Sequence, residues 1–261
     1  MSLTYLVTTH NESDTLDLLL ENIIKYKLKD QEIIILDDNS TNEKTFSIFE
    51  KYKNDITIHQ HSLNLDYGAH KNYGKSLCKT DWVFQIDADE VANKYLLYNL
   101  DEILEKNKNS ELIWVPRINY FTGLTDDVAR AWRWRISTIP TVKDIDEFNT
   151  FSQEYQFLQI RNCIVKEEEI EKNKNRVEFM IPLVNYPDFQ GRIYKNLDRI
   201  HYERVLHERI VGHKSETYIP PDQYVLSLMH KKTIATQLKT NKRYNELFKK
   251  EDNLGYLVRA K

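Results

Sequence analysis

The chain has 261 residues, 41% of them apolar, which is enough for one large buried core. Its 37 basic and 40 acidic residues leave a formal charge of -3, so no global field recommends nucleic acid or an anionic membrane as partner. Only Cys78 and Cys163 are present, which argues against a disulfide framework or a cysteine metal site.

The chain runs from Met1 straight into a strand-like Leu3 to Thr8, without the zones of a signal peptide, and holds no long apolar run of membrane-spanning length. A cytoplasmic protein is therefore expected, with peripheral membrane contact left open. Tyr5 to Thr9 reads as the first strand, and Asn11 stands where it can cap a helix whose Leu16, Leu19, Leu20, Ile23 and Ile24 share one face. The apolar run Ile33 to Leu36 reads as a second strand that empties into Asp37, Asp38, Asn39 and Ser40. A third strand is expected near Ile56 to His59. The fourth, Trp82 to Ile86, ends at Asp87, and Leu96, Leu100, Ile103 and Leu104 then mark a helix.

This alternation is the pattern of a mostly parallel α/β sheet, in which ligands sit beyond the carboxyl ends of the strands. The polar strand ends therefore converge on one crevice. After Leu112 to Pro116 the pattern fades, and about 123–185 reads as loops and antiparallel pieces. There Trp132, Arg133, Trp134 and Arg135 alternate as a half-buried strand would, although the same run can stack on a sugar. Ile234, Leu238, Tyr244, Leu247 and Phe248 fit a C-terminal helix on a lysine-rich, solvated background.

The feature that carries most chemistry is Ile86-Asp87-Ala88-Asp89-Glu90. Two carboxylates one residue apart at a strand end suit a hard divalent cation, Mg2+ or Mn2+, which can neutralise charge on a departing diphosphate. Among 40 acidic residues such a pair also arises by chance, so its context decides. Upstream stand Val7-Thr8-Thr9-His10-Asn11-Glu12, then Ile35-Leu36-Asp37-Asp38-Asn39-Ser40-Thr41, then Asn64 through Gly74.

Together these segments resemble the family 2 glycosyltransferases of the GT-A fold, over roughly residues 3–105. The resemblance implies an α/β fold: a mixed, mostly parallel central sheet flanked by helices, with an irregular acceptor region. It implies that Thr9, Asn11, Glu12 and Asp38 line a nucleoside pocket and that Asn64, Gly68 and Lys71 belong to the donor site. Lys71 stands where arginine is common, which keeps the charge for phosphate but loses the bidentate fork. Asp87 and Asp89 would hold metal and diphosphate.

Downstream, Tyr186-Pro187-Asp188-Phe189-Gln190-Gly191-Arg192, Val205-Leu206-His207-Glu208 and His230 are similar to a lipopolysaccharide-core-type subgroup, with Leu206 interrupting the second element. His230 is a candidate third metal ligand. An inverting displacement needs a base for the acceptor hydroxyl, worth about a hundredfold to ten-thousandfold. Glu208 is the first candidate and Asp188 the second. A surface ion pair of Glu208 with Arg204 or Arg209, and a helix cap by Asp188 near Arg192, are the plain structural alternatives.

The reading is thus a hexosyltransferase-like enzyme that takes a nucleotide-sugar donor, UDP-sugar favoured, to a saccharide, lipid-linked or protein acceptor. Residues 1–232 would form one domain, donor and metal half 1–105 and acceptor half 106–232, followed by a helical tail, 233–261. A sugar nucleotidyltransferase is the runner-up, but it calls for a glycine-rich loop where Thr8, Thr9, His10 and Asn11 stand. A binding module that kept the crevice and lost turnover is the non-enzymatic alternative.

Overall fold

The computed structural model describes residues 1–144 and 176–248, and of 138–144 and 176–182 the backbone alone. Cys163 and the end of the tail lie outside the described residues. Strands β1 (Leu3–Thr9), β2 (Gln31–Asp37), β3 (Thr57–Gln60) and β4 (Trp82–Asp87) run parallel in the order β3-β2-β1-β4. Helices α1 (Asp14–Tyr26), α2 (Glu43–Lys51) and α3 (Tyr67–Leu77) connect them.

Both faces of β1, β2 and β4 are buried, which is why they read as continuous apolar runs, whereas the edge strand β3 is largely exposed. Tyr5, Val7, Ile33, Ile35, Phe84 and Ile86 point to one face and pack with Leu16, Leu19, Leu20 and Ile23 of α1. Their neighbours Leu6, Ile34, Leu36 and Val83 point to the other, against Tyr194, Ile200, Tyr202 and Ile210. Each such fully buried side chain contributes about 1.5–3 kcal/mol over its exposed state.

Beyond β4 the chain adds β5 (Glu90–Ala92), α4 (Lys94–Tyr98), α5 (Leu100–Lys106), β6 (Leu112–Thr122), α6 (Asp126–Ala131), β7 (Ile136–Asp144) and the long β8 (Arg176–Lys195). A hairpin of β9 (His201–Glu203) and β10 (Arg209–Val211) follows, then β11 (Glu216–Tyr218), β12 (Leu228–Thr233) and helix α7 (Ile234–Leu247). β8 inserts antiparallel between β4 and β6, while β12 lies parallel to β6 and antiparallel to β5. Residues 106–232 thereby extend the same sheet, bringing β8, β6 and β12 alongside the end of β4.

Three local expectations are corrected. Asn11 does not cap α1, whose N-cap is Ser13; at φ +54° its side-chain oxygen accepts from Thr41 N at 2.7 Å and Asn42 N at 2.8 Å, tying the β1 loop to the β2 loop. Trp132–Arg135 is not a strand but the end of α6 and a turn through Arg133 at φ +54°; β7 starts at Ile136. The helix expected over Leu96–Leu104 is two short helices joined at Asn99.

Candidate active site

The crevice begins where β1 and β2 end. Asp37 is fully buried and spent on the loop itself, accepting from Ser40 N at 3.1 Å and Ser40 Oγ at 2.5 Å. Asp38 is the carboxylate left to the crevice, 22% exposed, and its Oδ1 accepts from Leu63 N at 2.8 Å. His10 Nδ1 donates to the Asp38 carbonyl oxygen at 2.7 Å. Thr9 Oγ1 is buried and has no hydrogen-bond partner among the described residues, an orphaned polar atom of the kind a ligand completes. Burial and then the charge of Asp89 raise the carboxyl of Glu12 above the usual glutamate value. Asn64 is exposed in the turn before α3 and contributes backbone shape, φ +49°, with Leu65 at +60°.

From Glu208 to Lys232 runs an unbroken chain of polar contacts. Lys71 Nζ donates to Glu208 Oε1 at 2.5 Å and lies 3.0 Å from Asp87 Oδ1, which also accepts from Thr8 Oγ1 at 2.9 Å. Arg192 Nη2 reaches Asp87 Oδ2 and the fully buried Glu90 Oε1, both at 2.6 Å, and its other arm bonds Gln85. Arg117 joins Glu90 at 2.8 Å to Asp188 at 2.7 Å. Asp188 also accepts from Asn119, and Asn119 meets His230 Nδ1 at 2.8 Å. His230 Nε2 and Lys232 Nζ then face the same oxygen, Asp89 Oδ2, at 3.3 and 3.0 Å.

The electrostatics follow from this packing. Burial alone would lower the Lys71 ammonium, whose side chain is only 4% exposed; Asp87 and Glu208 outweigh it and hold the pKa above its ordinary value. Burial would raise Asp87 and Asp89. Arg192 and Lys71 reverse this for Asp87, as His230 and Lys232 do for Asp89, and both carboxyls sit well below the usual range.

Glu208 reaches Lys71 because the 204–208 loop crosses the N-terminus of α3. Tyr67 N donates to Val205 O at 2.9 Å, and a Cβ on Gly68 would stand 2.6 Å from Arg204 O, so only glycine permits this approach. Arg204 and His207 take positive φ, +77° and +52°, and between them Leu206 is buried. The inserted leucine is therefore an anchor for the loop. Tyr244 of α7 packs edge-on to Tyr67 and His207.

Residues 4–165 match the model of the family described as Glycosyl transferase family 2. The chain belongs to glycosyl transferase family 2. Among curated relatives, poly(ribitol-phosphate) β-N-acetylglucosaminyltransferase TarP of Staphylococcus aureus is 29% identical over 112 residues, 41% of this chain and 34% of its own. Poly-β-1,6-N-acetyl-D-glucosamine synthase of S. aureus is 30% identical over 101 residues, 38% of this chain and 24% of its own. The chain thus spans about a quarter to a third of the length of these relatives. The crystal structure of S. aureus TarS 1-349 in complex with UDP-GlcNAc superposes with a TM-score of 0.53 at 15% identity, covering 89% of this chain and 59% of that one. This likeness shows the fold, an α/β GT-A architecture.

Within this family 2 fold, the structure brings Asp87, Asp89, Lys71, Glu208, Asp188 and His230 into one cluster. Glu208 pairs with Lys71 and not with Arg204 or Arg209, and Asp188 is a strand residue, not a helix cap. No three His, Cys, Asp or Glu side chains among the described residues gather at metal-ligating spacing. Asp89 and His230 supply an oxygen and a nitrogen donor 3.3 Å apart, a pair that suits Mn2+ or Mg2+ when diphosphate oxygens provide further ligands. Sequence reasoning missed Glu90, Arg117, Asn119 and Lys232 as members. Lys232 had a signal in its spacing, two residues from His230 on one strand.

Proposed function

We propose that this chain is a metal-dependent, inverting glycosyltransferase using a UDP-sugar, with UDP-N-acetylglucosamine the first donor to test. The observation that carries this reading is the convergence of Glu208, Lys71, Asp87, Asp89 and His230 at the carboxyl edge of the sheet. The N-acetylglucosamine chemistry of TarP and of the poly-N-acetylglucosamine synthase supports the choice of sugar. The grouping of Asp188, Gln190 and Arg192 on β8 with Glu208 supports the lipopolysaccharide-core-type likeness.

Thr9, Glu12 and Asp38 would meet the nucleoside, the free Thr9 hydroxyl and the Asp38 carboxylate offering polar contacts. Asp89 and His230 would hold a divalent cation, which supplies Lewis-acid stabilisation of the departing nucleotide diphosphate when bound. Lys232 and Lys71, each held on a carboxylate of the cluster, would offer positive charge to the phosphate oxygens of a bound donor. Glu208 accepts the proton of the acceptor hydroxyl, and the Lys71 contact aims its carboxylate. Asp188 is the weaker candidate base because both of its oxygens are already occupied by Arg117, Asn119 and Gln190.

The test is a panel of UDP- and GDP-sugars with and without Mn2+, read as thermal shift and donor hydrolysis. A Mn2+-dependent shift with hydrolysis of one UDP-sugar is expected. Asp89→Ala should abolish turnover with the fold retained, and Glu208→Gln should lower it at least a hundredfold with donor affinity kept. Binding without hydrolysis or transfer in the unaltered protein would favour a non-catalytic module.

A further inference from the structure

Trp114, Phe189 and Tyr218 form a partly exposed aromatic corner outside the charged cluster. Tyr218 of β11 stands in register with Trp114 of β6, and their rings lie parallel within 9°, centroids 5.8 Å apart. Phe189 of β8 meets Tyr218 edge-on, at 81° and 5.1 Å. Tyr218 is 48% exposed, whereas the rings that serve the core of the sheet, Tyr5, Phe84 and Tyr194, are fully buried.

One carboxylate holds the stacked pair. Glu216 Oε2 accepts from Trp114 Nε1 at 2.8 Å and lies 3.0 Å from His213 Nε2, while Oε1 accepts from Tyr218 OH at 3.1 Å. Both rings are thus fixed through their polar atoms, and Oε1 keeps a lone pair for a further donor. A flat apolar surface edged by an acceptor matches a pyranose, whose C–H faces are apolar and whose rim carries hydroxyl donors. The same carboxylate repels an anion. Trp114 also packs with the cluster of Leu6, Tyr202 and Ile210, on the face of the sheet that carries the β9–β10 hairpin and the Glu208 loop. At Gly191 a Cβ would stand 2.9 Å from Ile210 Cγ2 and 3.4 Å from Trp114 Cζ3, so Trp114 and Ile210 close on one point. Ile210 is two residues from Glu208, at most about 7 Å of chain. The aromatic corner and the candidate base therefore share one side of the sheet, at a separation that a short oligosaccharide bridges.

We propose that Trp114, Tyr218 and Phe189 form a stacking subsite for a neutral pyranose of the acceptor, held in shape by Glu216. The proposal rests on the glycosyltransferase reading for its purpose and names the acceptor class which that reading leaves open.

The experiment is saturation-transfer NMR of the full chain without donor or metal, with chitobiose, cellobiose and lactose as probes and glycerol phosphate as the anionic contrast. At least one disaccharide should bind and receive saturation at its C–H protons from aromatic protons, and glycerol phosphate should not bind. Tyr218→Ala should weaken that disaccharide about tenfold, while Tyr218→Phe, which keeps the ring, should hold its affinity within about threefold. Silence from all three disaccharides overturns the proposal, and this reading needs no variant to fold. Tyr218→Ala that binds as the unaltered protein does, or glycerol phosphate bound more tightly than every disaccharide, overturns it as well. Donor hydrolysis with Mn2+ is read separately on the unaltered protein. A disaccharide bound without hydrolysis would sink the enzymatic reading and leave the subsite standing, and hydrolysis without disaccharide binding would do the reverse.

Discussion

A charged Glu12 opposes folding. Its carboxyl is pushed upward, first by burial and then by Asp89, so the folded protein binds this proton more tightly than the unfolded chain does. For an acid with a raised folded pKa, the unfavourable contribution is absent below the ordinary glutamate value and grows as pH rises from there to the folded pKa. Glu12→Gln should therefore raise the melting temperature at neutral pH, with the gain shrinking to nothing in acid. A gain that is constant across that range would show that charge is not its source. A residue that opposes folding and faces the crevice fits a ligand site better than a structural role. The sequence supplied Glu12 through its motif, as it did Asp87, Asp89 and Glu208. It could not supply Glu90 or Arg117, because their importance comes only from each other and from Arg192, brought together across β5, β6 and β8.

At the level of elements, the strands that sequence patterning reads well are those buried on both faces: β1, β2 and β4. α1 was legible because its apolar positions keep helical spacing. β8 was not, because its partners change along its length from β7 to β6 to β4, and its Pro187, Asp188, Gln190 and Arg192 answer to the site more than to a pleat. The crossing of α3 by the 204–208 loop left one sequence trace, Gly68. A methyl group there would meet the Arg204 carbonyl at 2.6 Å, backbone against backbone, so the loop must withdraw. Glu208 rides on that loop. Gly68→Ala should thus reduce turnover several-fold to a hundredfold while donor affinity, governed by the β1, β2 and β4 ends, changes little. Equal losses in both would assign Gly68 to the donor pocket, as the family motif suggests.

Across the whole molecule, one sheet runs through residues 1–105 and 106–232. β8 and β6 follow directly on β4, so the second half supplies the hydrogen-bonding partner of an edge that the first half would leave bare. It also supplies Arg192, without which Asp87 and the fully buried Glu90 would lose their shared cation. Trp82 lies on β4 and Trp114 on β6, while Trp132 and Trp134 pack near β7 with Phe121. These four tryptophans therefore report on both halves. Unfolding in urea should give one transition, with tryptophan fluorescence and far-ultraviolet circular dichroism coincident. Residues 1–105 expressed alone should not reach a stable fold, because they bury β4 on one edge only and keep two carboxylates without their arginine. A separate early transition, or a stable 1–105 fragment, would mean that residues 106–232 dock onto a finished domain. Coincidence would mean that the charged chain from Glu208 to Lys232 is assembled in the same step that closes the sheet, so that the site exists only in the complete fold.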